Sequence, residues 1–199
     1  MTEVLTLASG SKIRSELLSK ARIDHRIEPA RVDEEAVRES LDAEGASPRD
    51  LADALAEMKA RKVAGRGMPG LVLGCDQVLA FGEEVFSKPE AREEAAEQIR
   101  RLRGERHQLL SAAVLYEDGA PVWRHVGTAR LYMRDVSDDF LEGYLDRNWP
   151  DIGESVGGYK LEAEGVRLFT RIEGDHFTIL GLPLLQLIDY LVLKGVLPS

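Results

Sequence analysis

Leu71-Val72-Leu73-Gly74-Cys75-Asp76-Gln77, followed further on by Lys88-Pro89, is the stretch whose reading decides the fold. Its apolar and small residues carry no charge until Asp76, the pattern of a strand buried on both faces of a parallel or mixed sheet. Such sheets belong to the α/β class, and their ligands gather outside the carboxyl ends of the strands. Asp76 is expected where the strand ends. A carboxylate there either caps a turn or faces a crevice, where it can hold a metal or activate a water. Val78-Leu79-Ala80-Phe81, a turn at Gly82-Glu83-Glu84 and then Val85-Phe86 predict a hairpin that returns Lys88 towards Asp76. Pro89 fixes the backbone beside it.

Towards the N-terminus, Val4-Leu5-Thr6-Leu7-Ala8 predicts a short strand that runs into Ser9-Gly10-Ser11. Leu17, Leu18 and Ala21 then follow helical spacing. Amide groups at such a helix start point at whatever lies in front of them. With Ser9, Ser11 and Arg14 they make either an anion cradle or a capped helix with a solvent-facing arginine. Residues 23–27 predict a second strand, and Val32-Asp33-Glu34 follows it as a loop with paired carboxylates, metal candidates if the fold carries them to Asp76. Ser47-Pro48-Arg49-Asp50 has the cap serine, first-turn proline and third-position carboxylate of a helix start. Its predicted stripe is Leu51, Leu55 and Met58. Lys59 lies at the edge of that stripe, either snorkelling to solvent or aiming its ammonium at the crevice of Asp76.

Towards the C-terminus, Ala91, Ala95, Ile99 and Leu102 predict a helix that Gly104 closes. Residues 109–116 and 122–133 alternate around Asp118-Gly119, the strongest hairpin signal in the chain. His107 and His125 read as ordinary side chains. Ser137-Asp138-Asp139 starts a helix that buries Phe140, Leu141, Tyr144 and Leu145 and stops at Trp149-Pro150. Gly157-Gly158-Tyr159-Lys160-Leu161-Glu162 reads as glycine-rich and then strand-like. Residues 167–171 and 177–180 are predicted strands joined by Glu173-Gly174-Asp175. Gly181-Leu182-Pro183 opens a last helix with Leu184, Leu185, Ile188, Leu191 and Val192 on one face.

Composition bounds the function. The 199 residues carry a formal net charge of −9 and 44% hydrophobic residues, so one globular domain is expected. No basic block with interleaved aromatics appears, which argues against nucleic acid and makes any phosphate site a local one. The single cysteine, Cys75, lies in an apolar run and fits a reducing cytoplasm. No charged-then-apolar leader is apparent, and no apolar run reaches the roughly 18 residues of a membrane span.

The set Leu7-Ala8-Ser9-Gly10-Ser11 with Arg14, Val32-Asp33-Glu34, Lys59-Ala60, Gly74-Cys75-Asp76-Gln77, Lys88-Pro89, Gly157-Gly158-Tyr159, Glu173-Gly174-Asp175 and Gly181-Leu182-Pro183-Leu184 resembles the Maf family of nucleotide pyrophosphatases over nearly the whole chain. The resemblance implies one domain over residues 1–199, of mixed α/β class. Its fold would be a long curved sheet flanked by helices, in two lobes with a cleft, as in the inosine triphosphate pyrophosphatases. It implies hydrolysis of nucleoside triphosphates to a monophosphate and pyrophosphate with a divalent cation, Mg²⁺ or Mn²⁺. Asp76 falls on the catalytic position, Ser9, Ser11, Arg14, Lys59 and Lys88 on phosphate-contacting positions, and Glu34 with Asp76 on the implied metal positions.

The chain departs from the family's Ser-Pro-Arg-Arg at Ser11-Lys12-Ile13-Arg14 and lacks the usual Gly-Lys-Ala before Gly157. Ile13, Gln77 and Glu162 are similar to the subgroup that hydrolyses 7-methyl-GTP; the other readings are a dTTP and UTP pyrophosphatase or a non-catalytic, division-linked regulator. The implied partner is the nucleotide, with neither nucleic acid nor a membrane, and a homodimer is compatible with the sequence.

Overall fold

The computed structural model describes residues 5–198. Strand β1 (Leu5–Leu7) leads into helix α1 (Lys12–Lys20), and β2 (His25–Ile27) follows. Val4, read as the first strand residue, lies outside the described residues. Next come α2 (Glu34–Ala43), α3 (Pro48–Ala64), β3 (Leu71–Phe81), β4 (Glu84–Phe86) and α4 (Arg92–Leu102). The chain continues through β5 (Arg106–Glu117), β6 (Ala120–Met133), α5 (Asp138–Asn148), a run of 3-10 turns, β7 (Phe169–Glu173), α6 (His176–Ile179) and α7 (Leu184–Leu193). The strands form one mixed seven-stranded sheet in the order β2-β1-β3-β5-β6-β7, with β4 paired on β3, so the expected α/β class holds.

The chain divides into two compact units, the number of lobes expected. The first takes residues up to Gln77 with Leu110–Gly127 and everything from His176 onward; the second takes Val78–Leu109 and Thr128–Asp175. In the first unit β1 is parallel to both β2 and β3, and its core joins Leu5, Leu7, Leu17, Leu18, Leu71, Leu73, Ala113, Leu115, Leu184, Leu187 and Leu191. In the second unit Ala95, Ile99 and Leu102 form the buried face of α4, and Leu141, Tyr144 and Leu145 that of α5. Asp118 and Gly119 both take positive φ (49° and 81°), the mirror-image turn that matches strand twist, so the hairpin of β5 and β6 closes where its sequence predicts.

Several expectations are corrected. Residues 177–180 are not a strand: they fall in α6 and the turn after it, because four residues ending at a glycine are too few to compete with the hydrogen bonds that hold the helix end, described below. Val32-Asp33-Glu34 is not a simple loop. The Asp33 side chain accepts from the Ala36 amide and caps α2, which the sequence hides because none of its residues is buried. Residues 161–163 form a turn rather than a strand, and on α7 Leu187 is buried while Leu185 is half exposed. The second strand and the strand before α6 are real but start two residues later than read, at His25 and Phe169.

His107 is an ordinary core side chain in one sense only. It is 1% exposed, bonded through Nε2 to the Tyr159 hydroxyl at 2.7 Å and packed against the rings of Tyr159 and Phe169. Burial pushes its imidazole down from 6.5 to about 4. A base whose folded pKa is depressed stays neutral while the unfolded chain takes up a proton, so stability is full above pH 6.5 and falls as pH drops towards 4. The loss attributable to this one group is about 3 kcal/mol at the acid end. Replacing it by glutamine, His107→Gln, is expected to flatten the slope of urea-unfolding free energy between pH 6.5 and 4; an unchanged slope would locate the acid sensitivity elsewhere.

Candidate functional site

The first unit brings together the end of β1, the start of α1, the middle of β3, the buried face of α3 and the start of α2. Register places Leu5, Thr6 and Leu7 opposite Leu71, Val72 and Leu73, after which the Ala8 amide bonds the Leu73 carbonyl at 2.8 Å and the chain leaves for the Ser9-Gly10-Ser11 turn. Strand β3 runs on. Asp76 therefore does not end its own strand, as the apolar run had predicted; it is the sixth of eleven residues in β3 and lies beyond the carboxyl end of the neighbouring β1. The rule about strand ends holds for the partner, because it is the loss of a paired neighbour that opens space beside a strand.

Lys59 reaches this point from α3. The helix buries Leu51, Ala52, Leu55, Ala56, Lys59, Ala60 and Val63, so Lys59 stands within the stripe rather than at its edge, and Met58 is only half-buried, lining a groove with Val37 and Leu41 of α2. Alanines make the difference. A Cβ built on Gly74 would lie 2.1 Å from the Ala56 carbonyl oxygen and 2.6 Å from the Ala60 amide, so β3 and α3 pack backbone against backbone, which only glycine permits. That approach leaves the Lys59 stem inside the core and its ammonium at the Asp76 carboxylate.

The ammonium bonds Asp76 Oδ1 at 2.6 Å and Glu34 Oε1 at 2.8 Å. Lys59 and Asp76 are 8% and 5% exposed, whereas the Glu34 side chain keeps 45% of its surface. Asp76 Oδ2 is buried with no hydrogen-bond partner among the described residues. Burial pushes the Asp76 carboxyl above its usual range, with Lys59 and Arg14 pulling it down and Glu34 adding to the rise. Burial likewise lifts the Cys75 thiol to about 11, which makes it inert at neutral pH.

Arg14, half-buried on α1, donates through Nε to the Gly181 carbonyl (2.8 Å) and through Nη1 to Ser9 Oγ and the Cys75 carbonyl (3.1 Å each). Its Nη2 makes no hydrogen bond among the described residues. Ser9 Oγ also accepts from the Ser11 amide at 3.3 Å, and the Ser11 side chain makes no capping bond. Ile13 is half-buried in the first turn of α1, which holds no acidic residue. Gln77 turns its amide nitrogen to Ser111 Oγ (2.9 Å) and the carbonyls of Thr178 (3.2 Å) and Ile179 (3.0 Å). Ser111, Thr178 and Gly181 carry this network; none was read as a site residue, although Gly181 stood in the resemblance to the family and at the opening of the last helix.

Lys88 and Glu162 belong to the second unit and are exposed, Lys88 two residues after β4 and Glu162 in a turn. Eight of the ten sequence-derived positions thus lie in the first unit: Ser9, Ser11, Ile13, Arg14, Glu34, Lys59, Asp76 and Gln77. Among the described residues no three His, Cys, Asp or Glu side chains form a self-sufficient metal cluster. Two carboxylates are present instead, the number of protein ligands Mg²⁺ commonly takes when phosphate oxygens and waters complete its shell. The Asp76 Oδ2 atom, without a hydrogen-bond partner among the described residues, and the 45% exposure of the Glu34 side chain fit that arrangement.

The model of the family described as "Maf-like protein" matches residues 4–193. The chain is 58% identical over 198 residues to a protein of Roseobacter denitrificans named nucleoside triphosphate pyrophosphatase, covering all of both chains. It is 56% identical over 197 residues to one of Ruegeria sp. with the same name, covering 99% of each. It is also 48% identical over 203 residues to a protein of Rhizobium meliloti named 7-methyl-GTP pyrophosphatase, again over the full length of both.

The geometry makes one mechanical demand. Adding a methyl group at the β3–α3 contact, Gly74→Ala, is expected to lower stability by about 3 kcal/mol, because neither backbone can yield without moving Lys59. Chemical denaturation measures it, and a cost below about 0.5 kcal/mol would mean that helix and strand do not pack as described.

Proposed function

We propose that this chain, which belongs to the Maf-like protein family, is a hydrolase that cleaves nucleoside triphosphates to the monophosphate and pyrophosphate, with 7-methyl-GTP as its preferred substrate. The observation that carries the reading is Asp76: a buried carboxylate with one oxygen on Lys59, the other unpartnered, in a site that also holds Arg14. A buried oxygen without a partner costs stability, which binding at that oxygen can offset.

The nucleotide brings about four negative charges to a protein of net charge −9, so its cradle must be locally cationic. Arg14 Nη2, the amides and hydroxyls of Ser9 and Ser11 at the start of α1, and Lys59 supply that positive environment in the first unit; Lys88 is a further phosphate contact by resemblance to the family. A water oxygen attacks the α-phosphorus, its proton passes to Asp76 Oδ2, and the bond from the α-phosphorus to the bridging oxygen breaks as pyrophosphate departs. The raised Asp76 pKa makes the carboxylate a stronger base than one in water. Glu34 and Asp76 would hold a Mg²⁺ or Mn²⁺ ion, which supplies charge neutralisation on the phosphate oxygens when bound. Lys59 keeps the two carboxylates oriented.

Base choice falls to Ile13, Gln77 and Glu162. Guanine offers two adjacent donors, N1–H and the 2-amino group, which one carboxylate accepts, whereas uracil and thymine offer a single donor flanked by acceptors. Glu162 suits guanine, and N7-methylation adds positive charge that strengthens the pairing. Ile13 places no cation near that charged ring. Gln77 commits its nitrogen to protein acceptors, so its Oε1 is the atom left for substrate. The whole chain acts as one Maf-like domain, with Cys75 suited to a reducing cytoplasm and the acidic surface unsuited to nucleic acid.

Two experiments test this. Asp76→Asn keeps the size of the side chain and an acceptor for Lys59 but removes one charge of the buried pair, so turnover is expected to fall on the order of 10²-fold or more in a chain that still folds with a lowered melting temperature; near-normal turnover removes Asp76 from the chemistry. The base reading is tested by kcat/KM for 7-methyl-GTP, GTP, UTP and dTTP in the wild type and Glu162→Gln. The wild type should favour 7-methyl-GTP and the variant should lose that preference. A wild-type preference for UTP, or a preference that survives the substitution, contradicts the assignment.

A further inference from the structure

The carbonyls at the end of a helix lack intrahelical partners, and at the end of α6 side chains from two strands take them. Thr178 O accepts from Ser111 Oγ at 2.6 Å, from Gln77 Nε2 at 3.2 Å and from the Gly181 amide at 3.1 Å, while Ile179 O accepts from Gln77 Nε2 at 3.0 Å. Thr178 is fully buried, and a Cβ on Gly127 would lie 2.5 Å from its hydroxyl, so the segment is wedged from behind as well. Three residues after Thr178, Gly181 takes φ +92°, where a side chain is strained, and its carbonyl receives Arg14 Nε at 2.8 Å.

The orientation of Arg14 thus depends on a carbonyl whose own place is set by two side chains that never touch the arginine. We propose that Gln77 and Ser111 are positioning residues for the phosphate cradle: by holding the carbonyl end of α6 they aim the Gly181 carbonyl at Arg14 Nε and so turn Nη2 towards the anion. Gln77 then influences catalysis independently of the base, through its nitrogen. A planar guanidinium has five donors in a fixed fork, so anchoring Nε and Nη1 leaves Nη2 with one direction in which to point. The inference rests on the reading of Arg14 as a phosphate ligand, but its test does not need turnover.

The probe is inorganic tripolyphosphate, which carries the charge of the substrate without base or sugar. Its affinity is measured by calorimetry in the wild type, Ser111→Ala, Gln77→Met, Arg14→Ala and the two double variants with Arg14→Ala. Each of Ser111→Ala and Gln77→Met should weaken binding about fivefold in the wild-type background, the scale of one neutral hydrogen bond. Neither should weaken it further once Arg14 is alanine, the coupling expected of residues acting through a shared group. A merely structural role would lower the melting temperature equally in both backgrounds and leave the affinities uncoupled. Equal losses in both backgrounds, no loss in either, or a wild type that binds no tripolyphosphate would each overturn the inference. A chain that hydrolyses no nucleotide yet shows the coupling would keep it and discard the pyrophosphatase reading; turnover without coupling would do the reverse.

Discussion

The Lys59 ammonium held between Asp76 and Glu34 is the constraint on which the rest of the first unit depends. A charged pair taken out of water gains stability only when geometry and further partners offset desolvation, and removing one member of such a pair costs about 3–5 kcal/mol. The fold therefore has to deliver two charges to one point with little tolerance. It does so through a contact that carries no charge at all: Gly74 against the backbone of α3 at Ala56 and Ala60. Leu55 and Val63 anchor the helix on either side of Lys59, Leu71 and Leu73 anchor the strand before Asp76, and all four are completely buried.

The same arrangement explains how an acidic protein can receive a polyanion. Only Lys59, Asp76 and Ser9 among the charge-centre residues are buried; Arg14 and Ser11 are half-buried and Glu34 is more open still. Cation and carboxylate are buried together beyond the end of β1, and the positive charge of Arg14 is held by a hydroxyl and two carbonyls rather than by other acids. The three acceptors of Arg14 are a hydroxyl and two carbonyls, so the guanidinium is fixed in place without losing its charge to a partner. Glu34 enters on the first turn of α2, a helix with no buried residue, which makes its approach the least constrained part of the site.

What could be read in the sequence follows from which forces are local. The capping box at Ser47 and Asp50, the Asp118-Gly119 turn and the periodic faces of α4 and α5 are encoded within a few residues, and they appear where they were expected. Residues 177–180 fail because Phe, Thr and Ile favour strands, while the bonds that decide their helix come from Gln77 and Ser111, far away in the chain. Asp76 was singled out from the sequence but misplaced along its strand, since nothing in residues 71–77 records that β1 ends after Leu7. Lys59 was put at the stripe's edge because the alanines that widen the stripe do not look like core. Gln77 was legible only through resemblance to the family, and its commitment to the carbonyls of α6 had no local signature.

The central claim is that a water activated at Asp76 attacks the α-phosphorus of a nucleoside triphosphate. Hydrolysis in water enriched in oxygen-18, with mass analysis of both products, tests it most directly. The account predicts one labelled oxygen in the nucleoside monophosphate and none in the pyrophosphate. Label in the pyrophosphate, or release of nucleoside diphosphate and orthophosphate, would contradict it.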